Sequence, residues 1–382
     1  MTTPRSLRHA LRVGCLVLLF PVVGAYPPSA AKPAPTGETR AVDVVICLDV
    51  SGSMEGLLDS TRARIWDVTN ELAKLKPTPE LRIGLLTFGD GQSTQSEGWI
   101  VQRLDLTEDL DSVYSQLMSL KIGGSEEYVG QVVEKALDGM SWSGNRDALR
   151  VIFVAGNEAA DQGVDGHDFR IAVRAAGDRG VIVNALYAGN REQGIVEHWP
   201  EVAQLGQGNF SAIDPSASTI QIATPQDARL LKLNAQLNTT YMPYGPRGKD
   251  GLANQVAQDG NASRLGVESC SSRIVAKGGA LYTNATWDLV DAALTEGFDW
   301  SAVPLADLPK GLQLMPREQQ VAAVDAMRKK RESIQTEIQK ASAERETFIR
   351  NALAAEATGL GTAMRQAIRE QAIAKGFTLD GC

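Results

Sequence analysis

The chain has 382 residues, 43% of them hydrophobic and 22% charged, with a formal net charge of −8. That length allows two domains, and the hydrophobic share belongs to a globular protein rather than a disordered one. The acidic balance argues against a broad nucleic-acid surface, which needs clustered positive charge to release phosphate counterions, so no nucleic-acid partner is expected.

Arg5, Arg8 and Arg12 precede an apolar run from Val13 to Val23, followed by small residues. Residues 1–25 therefore read as a signal peptide, with a cleavage site at Val23-Gly24-Ala25 and a second option near Ser29–Ala31. The run is too short to span a bilayer, and no later stretch approaches about 20 apolar residues. The expectation is an exported protein of periplasm, cell surface or medium, without a membrane span after cleavage. Residues 26–40, rich in Pro and Ala, read as a linker. Of the four cysteines, Cys15 leaves with the signal and no pair has C-x-x-C spacing. Cys47 lies in an apolar strand, and an oxidising compartment permits a bridge between Cys270 and Cys382 without establishing one.

From Ala41 the pattern alternates. Apolar strands are expected at Val42–Val50, Leu81–Phe88, Leu149–Ala155 and Val181–Ala188, with further strands at Trp99–Leu106 and Phe210–Ile213. Between them Leu58–Lys76, Leu110–Leu120, Tyr128–Met140 and Asp168–Arg179 carry apolar residues at helical spacing. Thr224-Pro225-Gln226-Asp227 opens another helix, with Leu230, Leu233 and Leu237 on its buried face. Strands apolar from end to end, interleaved with amphipathic helices, imply an α/β domain: a doubly wound, mostly parallel sheet with helices on both faces, over about residues 41–240. The region 241–382 is expected to be mainly helical. It includes a short helix in "NATWDLVDAALTEG" with Trp287, Val290 and Leu294 inward, a long charged helix at Arg317–Asn351, and a last one at Thr362–Lys375. Met327, Ile334, Ala341 and Phe348 recur every seven residues, but Arg331 and Arg345 weaken a coiled-coil reading against that of a helix packed on its own domain.

Asp49, Ser51 and Ser53, in "VVICLDVSGSM", form D-x-S-x-S at the end of the first strand. In extended chain, alternate side chains share one side, so one carboxylate and two hydroxyls converge there. Hard oxygen donors suit Mg²⁺, or Mn²⁺ or Ca²⁺, rather than zinc. The competing reading is a polar turn in which Asp49 and Ser51 cap the following helix.

The stretch resembles the von Willebrand factor A domain, whose metal-ion-dependent adhesion site begins with D-x-S-x-S after the first strand. "RIGLLTFGD", "IGGSEEYVGQVVEKAL", "VIFVAGNEAADQG" and "GVIVNALYAG" follow in that family's order, so the resemblance covers about residues 42–225. It implies one divalent ion and further ligands from two later loops. In the second loop Ser125 offers the hydroxyl, with Glu126 or Glu127 as an extra carboxylate; the same acids also suit the first turn of a helix. The third loop has Gly156-Asn157-Glu158 where the family often has T-D-G, so Asn157 or Glu158 takes the aspartate's place, directly or through water, and Asp161 is more distant. The resemblance further implies a non-catalytic protein partner that supplies an acidic residue to the ion.

Asp90, in "FGDG", reads as a turn aspartate. Enzyme readings have little support: there is no G-x-S-x-G elbow, Walker A or G-x-G-x-x-G loop, and only His167 and His198 follow the signal. A metal-dependent hydrolase needs Glu127 or Glu158 as general base. A structural envelope protein with a degenerate metal loop is the third reading.

Overall fold

The computed structural model describes residues 40–124, 126–163, 167–213, 222–352 and 360–379. The first half runs β1 (Ala41–Asp49), α1 (Glu55–Leu72), β2 (Leu75–Lys76), β3 (Glu80–Phe88), β4 (Val101–Thr107), α2 (Leu110–Ser119), α3 (Val129–Gly139), β5 (Leu149–Gly156), α4 (Phe169–Asp178), β6 (Ile182–Ala188), α5 (Arg191–Val196), α6 (Trp199–Leu205) and β7 (Gln207–Ile213). Six of these strands form one sheet in the order β4-β3-β1-β5-β6-β7. Every neighbouring pair is parallel except β3–β4, so the sheet is parallel with one antiparallel edge.

The two-residue period of a strand explains why β1 is apolar throughout. Val42, Val44, Ile46 and Leu48 enter one core with α1 and α2, while Val45 and Cys47 enter a second core with α3, α4 and α6. The chain winds from β1 to β3 and β4 on one side, then crosses to β5, β6 and β7 on the other. The winding therefore reverses at β1, which puts its carboxyl end at the switch point where ligands bind in such sheets.

The rest of the chain is helical: α7 (Asp227–Asn238), α8 (Gly248–Leu265), α9 (Val267–Lys277), α10 (Leu289–Ala292), α11 (Arg317–Ala352) and α12 (Leu360–Ala374), closed by β8 (Thr378–Leu379), which pairs antiparallel with β2. Packing continues through residue 240. Leu230, Ile274, Trp287, Ile338 and Ile368 share a core with the sheet face that α1 covers, and the described residues belong to one compact unit. Asn184 on β6 and Gln371 on α12 exchange amide hydrogen bonds of 3.2 and 2.7 Å, which fasten the last helix to the sheet.

Two details differ from expectation. α8 runs through Gly248, Gly251 and Gly260, weak helix formers that mask it in sequence. Gly251 is needed because a Cβ there would lie 2.3 Å from the Trp287 ring. Leu294 is exposed rather than inward, since α10 ends at Ala292 and the chain turns away. Along α11, Ile334 and Ala341 are buried against the chain's own helices, while Phe348 is exposed. The two interrupting arginines are internal ion pairs: Arg331 with Asp288 and Asp291 at 2.6 Å each, and Arg345 with Asp227 at 2.9 Å.

Cys270 is a free, half-buried thiol, and Cys382 lies outside the described residues, as does the 1–25 segment. Among the described residues no helix is long and apolar enough to cross a membrane.

Candidate metal centre

Three loops meet at the carboxyl end of β1. Val50 donates its amide to the Phe88 carbonyl at 3.0 Å, Gly123 donates to the Val50 carbonyl at 2.8 Å, and Gly91 donates to the Gly123 carbonyl at 2.7 Å. This approach requires glycine. A Cβ on Gly124, whose φ is +130°, would lie 2.1 Å from the Gly89 carbonyl oxygen.

Gly89, with φ +59°, leaves room for the site itself. A Cβ there would come within 2.9 Å of Asp49 Oδ1 and 3.2 Å of both Ser51 Cβ and Glu127 Cγ. Asp49, Ser51 and Glu127 thus gather around one glycine. All three are buried.

Asp49 Oδ1 accepts the Ser51 amide at 2.7 Å, and Ser51 Oγ lies 3.4 Å from Ser53 Oγ. The turn does not cap α1, which begins at Glu55 behind Met54 with no side-chain cap hydrogen bond. The exposed Ser53 meets the third loop: Asn157 Nδ2 donates to Ser53 Oγ at 2.9 Å. Glu158 is exposed, and its carbonyl accepts the Trp199 indole N–H at 2.8 Å, which anchors this loop.

Burial raises the Asp49 carboxyl above its ordinary range, against the lowering effect of its contacts with Glu127 and Ser51. Glu127 is raised strongly, first by burial and then by the Asp49 carboxyl facing it; the charge of Glu158 adds to both shifts. Asp49 Oδ2 and Glu127 Oε2 are buried without a hydrogen-bond partner. A buried carboxylate oxygen is costly unless paired or bound to a cation, so this donor set fits a hard divalent ion. Among the described residues, no three His, Cys, Asp or Glu side chains group as metal ligands. The donors here are instead two carboxyls together with serine hydroxyls.

Of the residues singled out in sequence, Asp49, Ser51, Ser53, Glu127 and Asn157 are brought together, and Glu158 flanks them. Ser125 lies outside the described residues. Glu126 is exposed and accepts a 3.2 Å hydrogen bond from the Tyr128 hydroxyl, so Glu127 is the acid that turns inward. Asp161 faces His198 at 3.6 Å instead of the ion site. Asp90 is a turn acceptor, taking the Thr87 hydroxyl at 2.5 Å and the Gln92 amide at 3.0 Å, and it pairs with Arg103. His167 pairs with Glu134 at 2.6 Å. The roles of Gly89 and Gly124 went unread in sequence; their recurrence at two loop junctions was the available signal.

The sequence pattern of the von Willebrand factor type A domain matches residues 43–198. Among solved structures, the chain is similar to an aerotolerance-related membrane protein from Bacteroides fragilis NCTC 9343 with multiple mutations to serines, at 20% identity and a TM-score of 0.31, over 46% of this chain and 92% of that one. It is similar to the SpRpn10 VWA domain at 17% identity and a TM-score of 0.35, over 47% and 90% respectively. A third is proximal thread matrix protein 1 from the mussel byssus with a zinc-occupied MIDAS motif, at 13% identity and a TM-score of 0.35, over 47% of this chain and 43% of that one. No curated protein matches the chain.

Proposed function

Because residues 43–198 match the von Willebrand factor type A domain pattern, we propose that the chain is an exported, non-catalytic protein that binds a partner protein through one divalent cation. The observation that carries this reading is the pair of buried carboxyl oxygens, Asp49 Oδ2 and Glu127 Oε2, left without partners at the switch point of the sheet. Bound there, the cation would offer open coordination positions to a partner's oxygen.

Asp49 and Glu127 provide the charge, and Ser51 and Ser53 provide hydroxyl oxygens. Asn157 fixes the Ser53 hydroxyl by its 2.9 Å hydrogen bond, and Glu158 acts from the rim, through water. Ser125 is proposed as the second-loop hydroxyl. Mg²⁺ is favoured, with Mn²⁺ or Ca²⁺ as substitutes, because few carboxylates leave the ion room for waters and a partner's Asp or Glu. The hydrolase alternative is weaker: Glu127 is taken up beside Asp49 as a ligand of the ion, and Glu158, the other candidate base, is exposed at the rim. Thermal unfolding of the full chain in Mg²⁺ and in chelator tests the proposal. A rise in Tm with Mg²⁺, abolished by Asp49→Ala, supports it, and identical unfolding in both media refutes it.

A further inference from the structure

We infer that the segment recognised by this site carries its metal-completing carboxylate between basic residues. The inference rests on the cation reading above and adds the chemistry of the partner. With Asp49 and Glu127 ionised around it, a divalent ion is already neutralised. Beyond them stand Glu55 at the start of α1, Glu126 in the second loop and Glu158 in the third, all exposed. None of the three has a Lys or Arg partner among the described residues.

Some acids elsewhere are held in ion pairs. Asp43 holds Arg82 through two 2.8 Å hydrogen bonds, and Glu201 holds Arg170 at 2.8 and 2.9 Å. Lys121, exposed on the loop of Glu126, forms no ion pair with it, and the Arg191 guanidinium is engaged 4.9 Å over the Phe210 ring. The excess at the rim is negative.

A lone carboxylate approaching a neutralised ion through three unpaired carboxylates is repelled. A lone cation is attracted to the rim but cannot ligate the metal. Only a segment with both satisfies the buried orphan oxygens, by way of the ion, and the rim together. The acid enters the coordination shell while its lysine or arginine neighbours face Glu55, Glu126 and Glu158.

Matched fluorescent peptides read by anisotropy test this on the full chain. One has a central Glu between lysines, a second a central Glu between serines, a third a central Glu between aspartates, and a fourth a central Gln between lysines. In Mg²⁺ the Lys-flanked Glu peptide should bind about tenfold tighter than the Ser-flanked one, with the Asp-flanked peptide weakest. Its binding should fall with chelator, with added salt and with the central Gln. The double variant Glu55→Gln/Glu126→Gln should flatten the order while the Mg²⁺-dependent rise in Tm persists. Equal or reversed affinities overturn the inference. So do failure of every peptide to bind at millimolar concentration, and Lys-peptide binding that ignores both chelator and the central Gln. If Mg²⁺ leaves the wild-type Tm unmoved, the cation site itself fails, and this inference with it.

Discussion

Among the described residues, two clusters built around buried carboxyls are finished differently. In the helical half, Asp111 and Asp259 meet Arg273 and Lys277: Arg273 reaches both acids at 2.7 Å, and Lys277 reaches Asp259 at 2.8 Å. Lys277 also donates to Asn234 and Asn238, so the cluster is closed on itself. At the sheet edge, Asp49 and Glu127 face each other without an ion pair to Lys or Arg among the described residues, and each has one orphan oxygen. Burying charge demands compensation. The first cluster receives it from the chain and is structural; the second must receive it from outside, and that requirement is the basis of a binding site.

The largest test of this contrast is Asp259→Asn. It strips Arg273 and Lys277, both fully buried, of a shared counter-charge. Urea unfolding should lose about 3–5 kcal/mol, the usual cost of breaking a buried pair. The loss should be the same in Mg²⁺ and in chelator; a metal-dependent loss would blur the distinction. Asp49→Ala should do the opposite. It should leave stability in chelator nearly intact while removing the roughly 2–3 kcal/mol that saturating Mg²⁺ adds to wild type.

The two clusters should also respond to pH with opposite sign. Burial alone would raise Asp259, but Lys277 and Arg273 hold it well below the ordinary carboxylate range. Its stabilising contribution is present above the ordinary Asp range and is lost as pH falls through the folded value. Glu127 is raised, so the metal-free native state holds a proton that the unfolded chain releases. Its contribution is present below the ordinary Glu range and is lost as pH rises through that range toward the folded value. In chelator at pH 8, Glu127→Gln should therefore be more stable than wild type by about 1–2 kcal/mol, while its Mg²⁺ affinity falls. Equal stability of the two proteins across pH 4–8 in chelator would show that Glu127 is ionised without cost, and its place in the comparison would be lost.

How much of this was legible in sequence follows from the range of each signal. The sheet was legible because β1, β3, β5 and β6 are apolar on both faces, a property of each strand alone. D-x-S-x-S was legible because alternation along one strand end is local. The choice of Glu127 over Glu126 was not, because it depends on how Gly124 packs against the Gly89 carbonyl. Likewise α8 was hidden by glycines that serve a tertiary contact with Trp287, and the ion pairs of Arg331 and Arg345 join residues 40 to 118 positions apart.

The smallest effect separates positioning from charge within the site. Ser53 is exposed, and its hydroxyl joins Asn157 to the first loop, accepting from Nδ2 at 2.9 Å and donating to Oδ1 at 3.2 Å. Solvent replaces such bonds easily, so Ser53→Ala should change stability in chelator by no more than about 0.5 kcal/mol. If the hydroxyl is a ligand that Asn157 aims, Mg²⁺ affinity read from the Tm titration should still drop several-fold in Ser53→Ala. Asn157→Ala should give a smaller drop, because it frees the hydroxyl without removing it. Should Asn157→Ala instead weaken Mg²⁺ more than Ser53→Ala, the third loop contributes a ligand of its own and Ser53 merely orients it. That outcome would reverse their roles while leaving Asp49 and Glu127 as the pair that calls for the ion.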